Sequence, residues 1–170
     1  IAASGNESWA NAIGRPACVS NIISVGATDD SDNVPLFSNR ASFLDLVAPG
    51  GAIESSVPRN IFGDQYDVFP GTSMAAPHVA GAWAIMRQRS PEASVGAILE
   101  SLKNTATYVY DPFTRLSFPR INVDLAIDNG MINMSNTTLH NTTTPTLTWG
   151  AAANAQWYNI YTVDELGTVV

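Results

Sequence analysis

The chain has 170 residues, 45% hydrophobic and 14% charged, which is enough apolar material for one substantial core. A formal net charge of −7 argues against a basic surface for nucleic acid or anionic membrane, so neither is expected as a partner. Cys18 is the single cysteine, which rules out an intrachain disulfide, and no apolar run approaches the roughly 18 residues of a membrane span.

Taken in order, Ile1 to Asn6 reads as the end of a short apolar strand closed by a Gly-Asn turn, and Glu7 to Pro16 as a surface loop. With no initiator Met, a chain starting in what reads as mid-domain is expected to be a piece of a longer protein. Asn21 to Ala27 is a β-branched run bounded by turn residues, hence a buried strand. The acidic Asp29 to Asn33 stretch lacks the glycine and terminal glutamate of an EF-hand loop, so a solvated turn is expected. In Leu44 to Gly50, Asp45 is the one charge in an apolar run and should be hydrogen-bonded, paired or bound to a cation. Ile53 to Val57 continues as a strand, and Gly63 to Val68 as a hairpin-like approach to the next element.

That element is Gly71-Thr-Ser-Met-Ala-Ala-Pro-His-Val-Ala-Gly81. Pro70 and Gly71 break the chain immediately before Ser73, and small and apolar residues follow, so a sharp turn should feed a buried helix. A serine there has its hydroxyl at a helix N-terminus, where unpaired N–H groups and the helix dipole favour developing negative charge. The plain alternative is that Thr72 or Ser73 only caps the helix. A cap does not call for the rest of the pattern: Gly71 for a tight backbone, Pro77 in the first helical turn, and Ala75, Ala76, Ala80, Gly81 and Ala82 leaving room for close packing.

Further on, Val95, Ile98, Leu99 and Leu102 recur at helical spacing and predict an amphipathic helix ending near Asn104. From Asn133 to Thr144 the composition shifts to Asn, Ser and Thr, the signature of a linker. Pro145 to Trp149 and Gln156 to Val163 then alternate in the strand period.

The eleven residues Gly71 to Gly81 resemble the active-site serine motif of the subtilisin-like serine proteases, the subtilases. The resemblance extends to Ala2-Ala-Ser-Gly-Asn6, to Leu36 through Asn39 as a strand with Ser and Asn, to Leu44 through Gly50 as a buried strand ending at Pro-Gly, and to Arg120 through Ile127 with its final short helix. It implies an α/β fold: part of a subtilisin-like parallel sheet with flanking helices over residues 1–130, an Asn/Thr-rich linker at 131–144, and a truncated fibronectin-III-like β-sandwich segment at 145–170. It further implies that Ser73 is the nucleophile, that Asn6 donates its amide to the oxyanion, and that Ala3, Ser4 and Gly5 wall a substrate pocket with Gly14 near its base. The reaction implied is hydrolysis of polypeptide substrates in a secreted or cell-surface setting. No metal takes part in that chemistry, although the resemblance admits a structural calcium near Asp45. A non-catalytic subtilase-like binding or adhesion protein is the alternative.

A serine hydroxyl needs a base and a group to orient that base. Only His78 and His140 are present; His78 lies five residues beyond Ser73, about 500° around a helix at roughly 100° per residue, and so points away. Subtilases carry the Asp and His of the triad in earlier Asp-Thr-Gly-like and His-Gly-Thr-His-like segments, neither of which occurs here. The N-terminal part of the same protein is therefore the partner this chain is expected to require.

Overall fold

A computed structural model describes residues 1–63 and 65–128. Asp64, His140, the expected linker and the expected sandwich strands lie outside the described residues. The mixed α/β architecture is the one anticipated: a sheet dominated by parallel strands with helices packed on it.

Four strands are short and close in character to the sequence expectation: β1 (Ala2–Ala3), β2 (Ser24–Thr28), β3 (Leu46–Pro49) and β4 (Ile53–Ser56). A helical turn, α1 (Arg59–Phe62), leads into β5 (Tyr66–Phe69), which runs directly into the long helix α2 (Thr72–Arg89). There follow α3 (Val95–Asn104), β6 (Thr107–Asp111), β7 (Leu116–Arg120) and α4 (Val123–Asp128). The main sheet has the order β1-β2-β3-β7-β6, with β1, β2, β3 and β7 mutually parallel and β6 antiparallel to β7. β4 and β5 form a separate antiparallel pair.

β2 is buried along its whole length because both faces of the sheet are covered, as parallel strands require. Its alternation sorts the core into two. Val25 and Ala27, with Leu46 and Ala48 of β3, face α2, α3 and α4 and meet Val79, Met86, Ile98 and Leu102. Val47 points the other way, toward Leu44, Val109 and Phe118. Gly26 lies on that second side, where a Cβ would come within 2.9 Å of the Leu44 side chain, so the strand's lack of a side chain there is a packing requirement.

Several expectations are corrected. Leu36 to Asn39 is a turn, not a strand: Pro35 starts it, Ser38 N–H donates to the Pro35 carbonyl, and the following Arg40 side chain takes up the Pro35 and Leu36 carbonyls. Pro77 is the sixth residue of α2 and lies beyond its first turn, so the Ser73 carbonyl has no helical N–H donor. The helix buries one face only, through Thr72, Ala75, Val79, Ala82 and Met86. Ala80 and Gly81 are exposed, and a Cβ at Gly81 would meet nothing, so they do not serve close packing among the described residues.

Arg40 was not singled out by the sequence, yet it is 1% exposed. Its guanidinium donates to the Asp111 carboxylate at 2.9 Å and to the carbonyls of Ser38, Pro35 and Leu36, and it stacks over the Phe113 ring at 5.4 Å. One side chain thereby ties the turn at residues 35–40 to the β6–β7 hairpin.

Asp45 is satisfied within the protein. Its Oδ2 accepts from the Ser24 N–H and hydroxyl at 3.0 and 2.9 Å, and its Oδ1 from the Lys103 ammonium at 2.8 Å. Burial pushes its carboxyl up, but the Lys103 and Ser24 hydrogen bonds outweigh that and hold it below the ordinary value of 3.8. A folded-state carboxyl lowered in this way contributes stability above its unfolded value and loses it as pH falls through the folded value. Lys103→Met should therefore cost about 1 kcal/mol at neutral pH, the upper range for a half-exposed pair. The gap from the parent should narrow as pH is taken from 7 through 3.8 and below, as urea midpoints would show. An unchanging gap would contradict the pairing.

Candidate active site

α2 begins at the carboxyl ends of the parallel strands, the edge at which open α/β sheets present their sites. Gly71 N–H donates to the Gly50 carbonyl just past β3, and Gly50 N–H donates in turn to Thr28 at the end of β2. Gly71 has φ 151°, a conformation that suits glycine and lets β5 turn sharply into the helix. Ser73 is the second residue of α2 and is exposed. Among the described residues neither its N–H nor its hydroxyl has a hydrogen-bond partner, so both are available at the positive end of the helix.

The structure brings Asn6 to the same helix end. Its Oδ1 accepts from the Thr72 N–H at 3.0 Å and from the Thr72 hydroxyl at 2.9 Å. A backbone N–H can only donate, so the amide orientation is settled: oxygen toward Thr72, nitrogen away from it. That nitrogen lies beside Gly71, 3.3 Å from where a Cβ would stand, which is a second reason for glycine there. Thr72 Oγ1 also accepts from the Gly5 N–H at 3.1 Å. Thr72 is fully buried, and sequence reasoning weighed it only as a cap. The cap position is Gly71, and Thr72 instead ties the Asn6 turn to α2.

Of the four anticipated pocket residues, Ala3, Gly5 and Gly14 are half-buried and Ser4 is fully buried. Gly14 N–H donates to the Ser4 carbonyl at 2.7 Å, so the loop at 7–16 does return to the Asn6 segment. The Ser4 hydroxyl turns inward and donates to the Asn39 carbonyl at 2.9 Å, and its N–H and carbonyl are engaged by Val25, Gly14 and Asn39, so Ser4 presents no surface. His78 is exposed and its Nδ1 lies 2.8 Å from the Met74 carbonyl, one turn back on its own helix. Because that carbonyl can only accept, Nδ1 is the donor, and the ring is not bonded to Ser73.

Neither acidic segment suits calcium. A calcium ion needs six to eight oxygen ligands, whereas Asp45 is already surrounded by an ammonium, a hydroxyl and an N–H, and Lys103 would have to leave first. Asp29 instead closes its own turn, accepting from Ser31 and Asn33 N–H groups at 2.9 Å. Among the described residues no three His, Cys, Asp or Glu side chains converge on one point.

The arrangement is a serine hydroxyl and two N–H donors, one backbone and one side-chain amide, unengaged among the described residues and set at one helix N-terminus. A model of the subtilase family, peptidase S8, matches residues 1–148. The chain belongs to the subtilase family.

Relatives of this subtilase include alkaline elastase YaB of Bacillus sp. (strain YaB), 49% identical over 107 residues, covering 63% of this chain and 27% of the elastase. Subtilisin BL of Lederbergia lenta is 48% identical over 107 residues, covering 63% of this chain and 38% of its own length. The chain thus spans between about a quarter and two-fifths of these relatives. Among solved structures, a protease from Pseudoalteromonas arctica superimposes with a TM-score of 0.61 at 26% identity, over 74% of this chain and 40% of that one. A lanthipeptide protease at 21% identity gives 0.62 over 74% of this chain and 48% of the other, a likeness of fold alone.

Proposed function

We propose that this subtilase chain is the serine-bearing portion of a secreted or cell-surface serine endopeptidase that hydrolyses polypeptides. The observation that carries the reading is the Asn6 amide, fixed by Thr72 with its nitrogen beside Gly71, unspent among the described residues, at the helix end that carries the exposed Ser73. In the proposed reaction the Ser73 hydroxyl attacks the scissile carbonyl, a histidine outside this chain takes its proton, and an aspartate outside this chain orients that histidine. The Ser73 N–H and the Asn6 amide receive the negative charge that develops on the carbonyl oxygen. Neutral, fixed donors suit this work because they neither titrate nor reorganise as the charge forms. Ala3, Gly5 and Gly14 border the pocket for the residue before the scissile bond, with the buried Ser4 holding that wall from within. Residues 1–130 are read as the C-terminal portion of the catalytic domain, 131–144 as a linker, and 145–170 as the opening of a fibronectin-III-like sandwich. Alternating strand patterns support the last assignment.

Asn6→Ala tests the reading in the full-length protein. The expected result is a fall of about 10²–10³ in kcat with KM little changed, the magnitude known for the equivalent donor of subtilisin itself. Unchanged kcat in a properly folded variant would remove Asn6 from the site. No peptide hydrolysis by the full-length parent would favour a binding or adhesion role.

A further inference from the structure

Asn6 sits in a turn with little regular structure of its own: β1 ends at Ala3, and no helix or strand forms again until Ser24. What fixes that turn from behind is one buried side chain, Asn39, which is 0% exposed. Its Oδ1 accepts from the N–H groups of Glu7 and Trp9, both at 3.0 Å. Its Nδ2 donates to the Ser4 carbonyl at 3.0 Å and to the Glu7 carboxylate at 2.5 Å. The Asn39 N–H donates to the Gly5 carbonyl at 2.9 Å, and the Asn39 carbonyl accepts the Ser4 hydroxyl. The three residues nearest Asn6, namely Ser4, Gly5 and Glu7, are thus all bonded to Asn39, while Asn6 is bonded to Thr72. Gly5, at φ 103°, presses its Cα against the Asn39 amide so closely that a Cβ would collide with it.

The two backbone N–H donors make the orientation of this amide as certain as that of Asn6. All its hydrogen-bonding capacity is spent on one short loop, at full burial, where a lost partner is most costly. The next residue in the chain, Arg40, is anchored through Asp111 to the β6–β7 hairpin, so the turn presenting Asn39 cannot drift. We propose that Asn39 is the positioning residue for the oxyanion donor: it holds the Ser4–Glu7 loop so that the Asn6 amide stays aimed at the carbonyl oxygen. The inference rests on the endopeptidase reading of Ser73 and Asn6.

The test is a double-mutant cycle in the full-length protein, with kcat expressed per active site counted by a serine-directed irreversible inhibitor. Asn39→Ala should lower kcat by about tenfold to a hundredfold, the scale on which misplaced catalytic groups act, while KM changes less than about threefold. In an Asn6→Ala background the same substitution should lower kcat by less than about twofold, because its target is already gone. Asn39→Asp, of equal size but unable to donate to Ser4 and facing the Glu7 carboxylate, serves as the second variant and should show the same split. Equal losses in both backgrounds, or a loss that disappears once active sites are counted, would overturn the proposal. Failure of the endopeptidase reading looks different: it appears as parent activity that survives Ser73→Ala, whatever Asn39 does.

Discussion

Ser73→Ala should cut peptide hydrolysis by the full-length protein to a small residual rate, and residues 1–170 on their own should show no turnover that depends on Ser73. The hydroxyl is the only nucleophile presented at the N-terminus of α2, and the exposed His78 of the same helix is committed to the Met74 carbonyl. Without Ser73 the remaining donors can still polarise a carbonyl, so a residual rate above that of water is expected. For a subtilisin the corresponding loss is about 2 × 10⁶ in kcat, a value measured on that relative. Among the described residues the hydroxyl has no base, and a serine at its ordinary acidity is a weak nucleophile. Turnover by residues 1–170 that disappears with Ser73→Ala would mean that a base lies within the chain after all.

Arg40→Ala should be the most destabilising single change among the described residues. Removing one partner of a buried ion pair costs about 3–5 kcal/mol, because the other charge is left without compensation. Here the loss also strips donors from the Pro35, Leu36 and Ser38 carbonyls. Asp111 keeps the Thr114 hydroxyl and the Thr114 and Phe113 N–H groups but loses the one cation paired with it among the described residues. Burial drives the Asp111 carboxyl up, while Thr114 and Arg40 together hold it below its ordinary value of 3.8. Its contribution is therefore present above that value and is lost as pH falls through the lowered one. Arg40→Lys restores charge but not the planar fork and should recover only part of the stability. Urea unfolding should be run in a Ser73→Ala background, so that self-digestion does not enter. A loss below about 1 kcal/mol would show that the pair is replaceable by solvent.

The site was legible because its main parts are short and local. Gly71 to Gly81 carries turn, exposed serine and helix in one run, and Asn6 closes a recognisable strand end. β2 and β3 read as apolar runs because both their faces are buried, and α3 declared itself by spacing. What escaped depends on partners far along the chain. Arg40 looks like a surface residue until Asp111, 71 positions away, is folded against it. The capacity of Asn39 to organise the Asn6 turn is likewise invisible from its neighbours. The β6–β7 hairpin left a usable signal, alternation in Thr107 to Asp111 followed by Asp-Pro, but Pro119 within β7 argues against a paired strand. Pro77 shows the opposite case: its residue type suits a first turn, whereas the helix begins at Thr72 and puts it sixth.

The central claim is that Ser73 is an activated nucleophile in the full-length protein. Treatment with a phosphonofluoridate that modifies activated serines, followed by peptide mass mapping, tests it most directly. A single stoichiometric adduct on Ser73 is expected, formed in step with loss of peptidase activity and absent from residues 1–170 alone. An unmodified Ser73 in active protein, or inactivation through an adduct elsewhere, would contradict it.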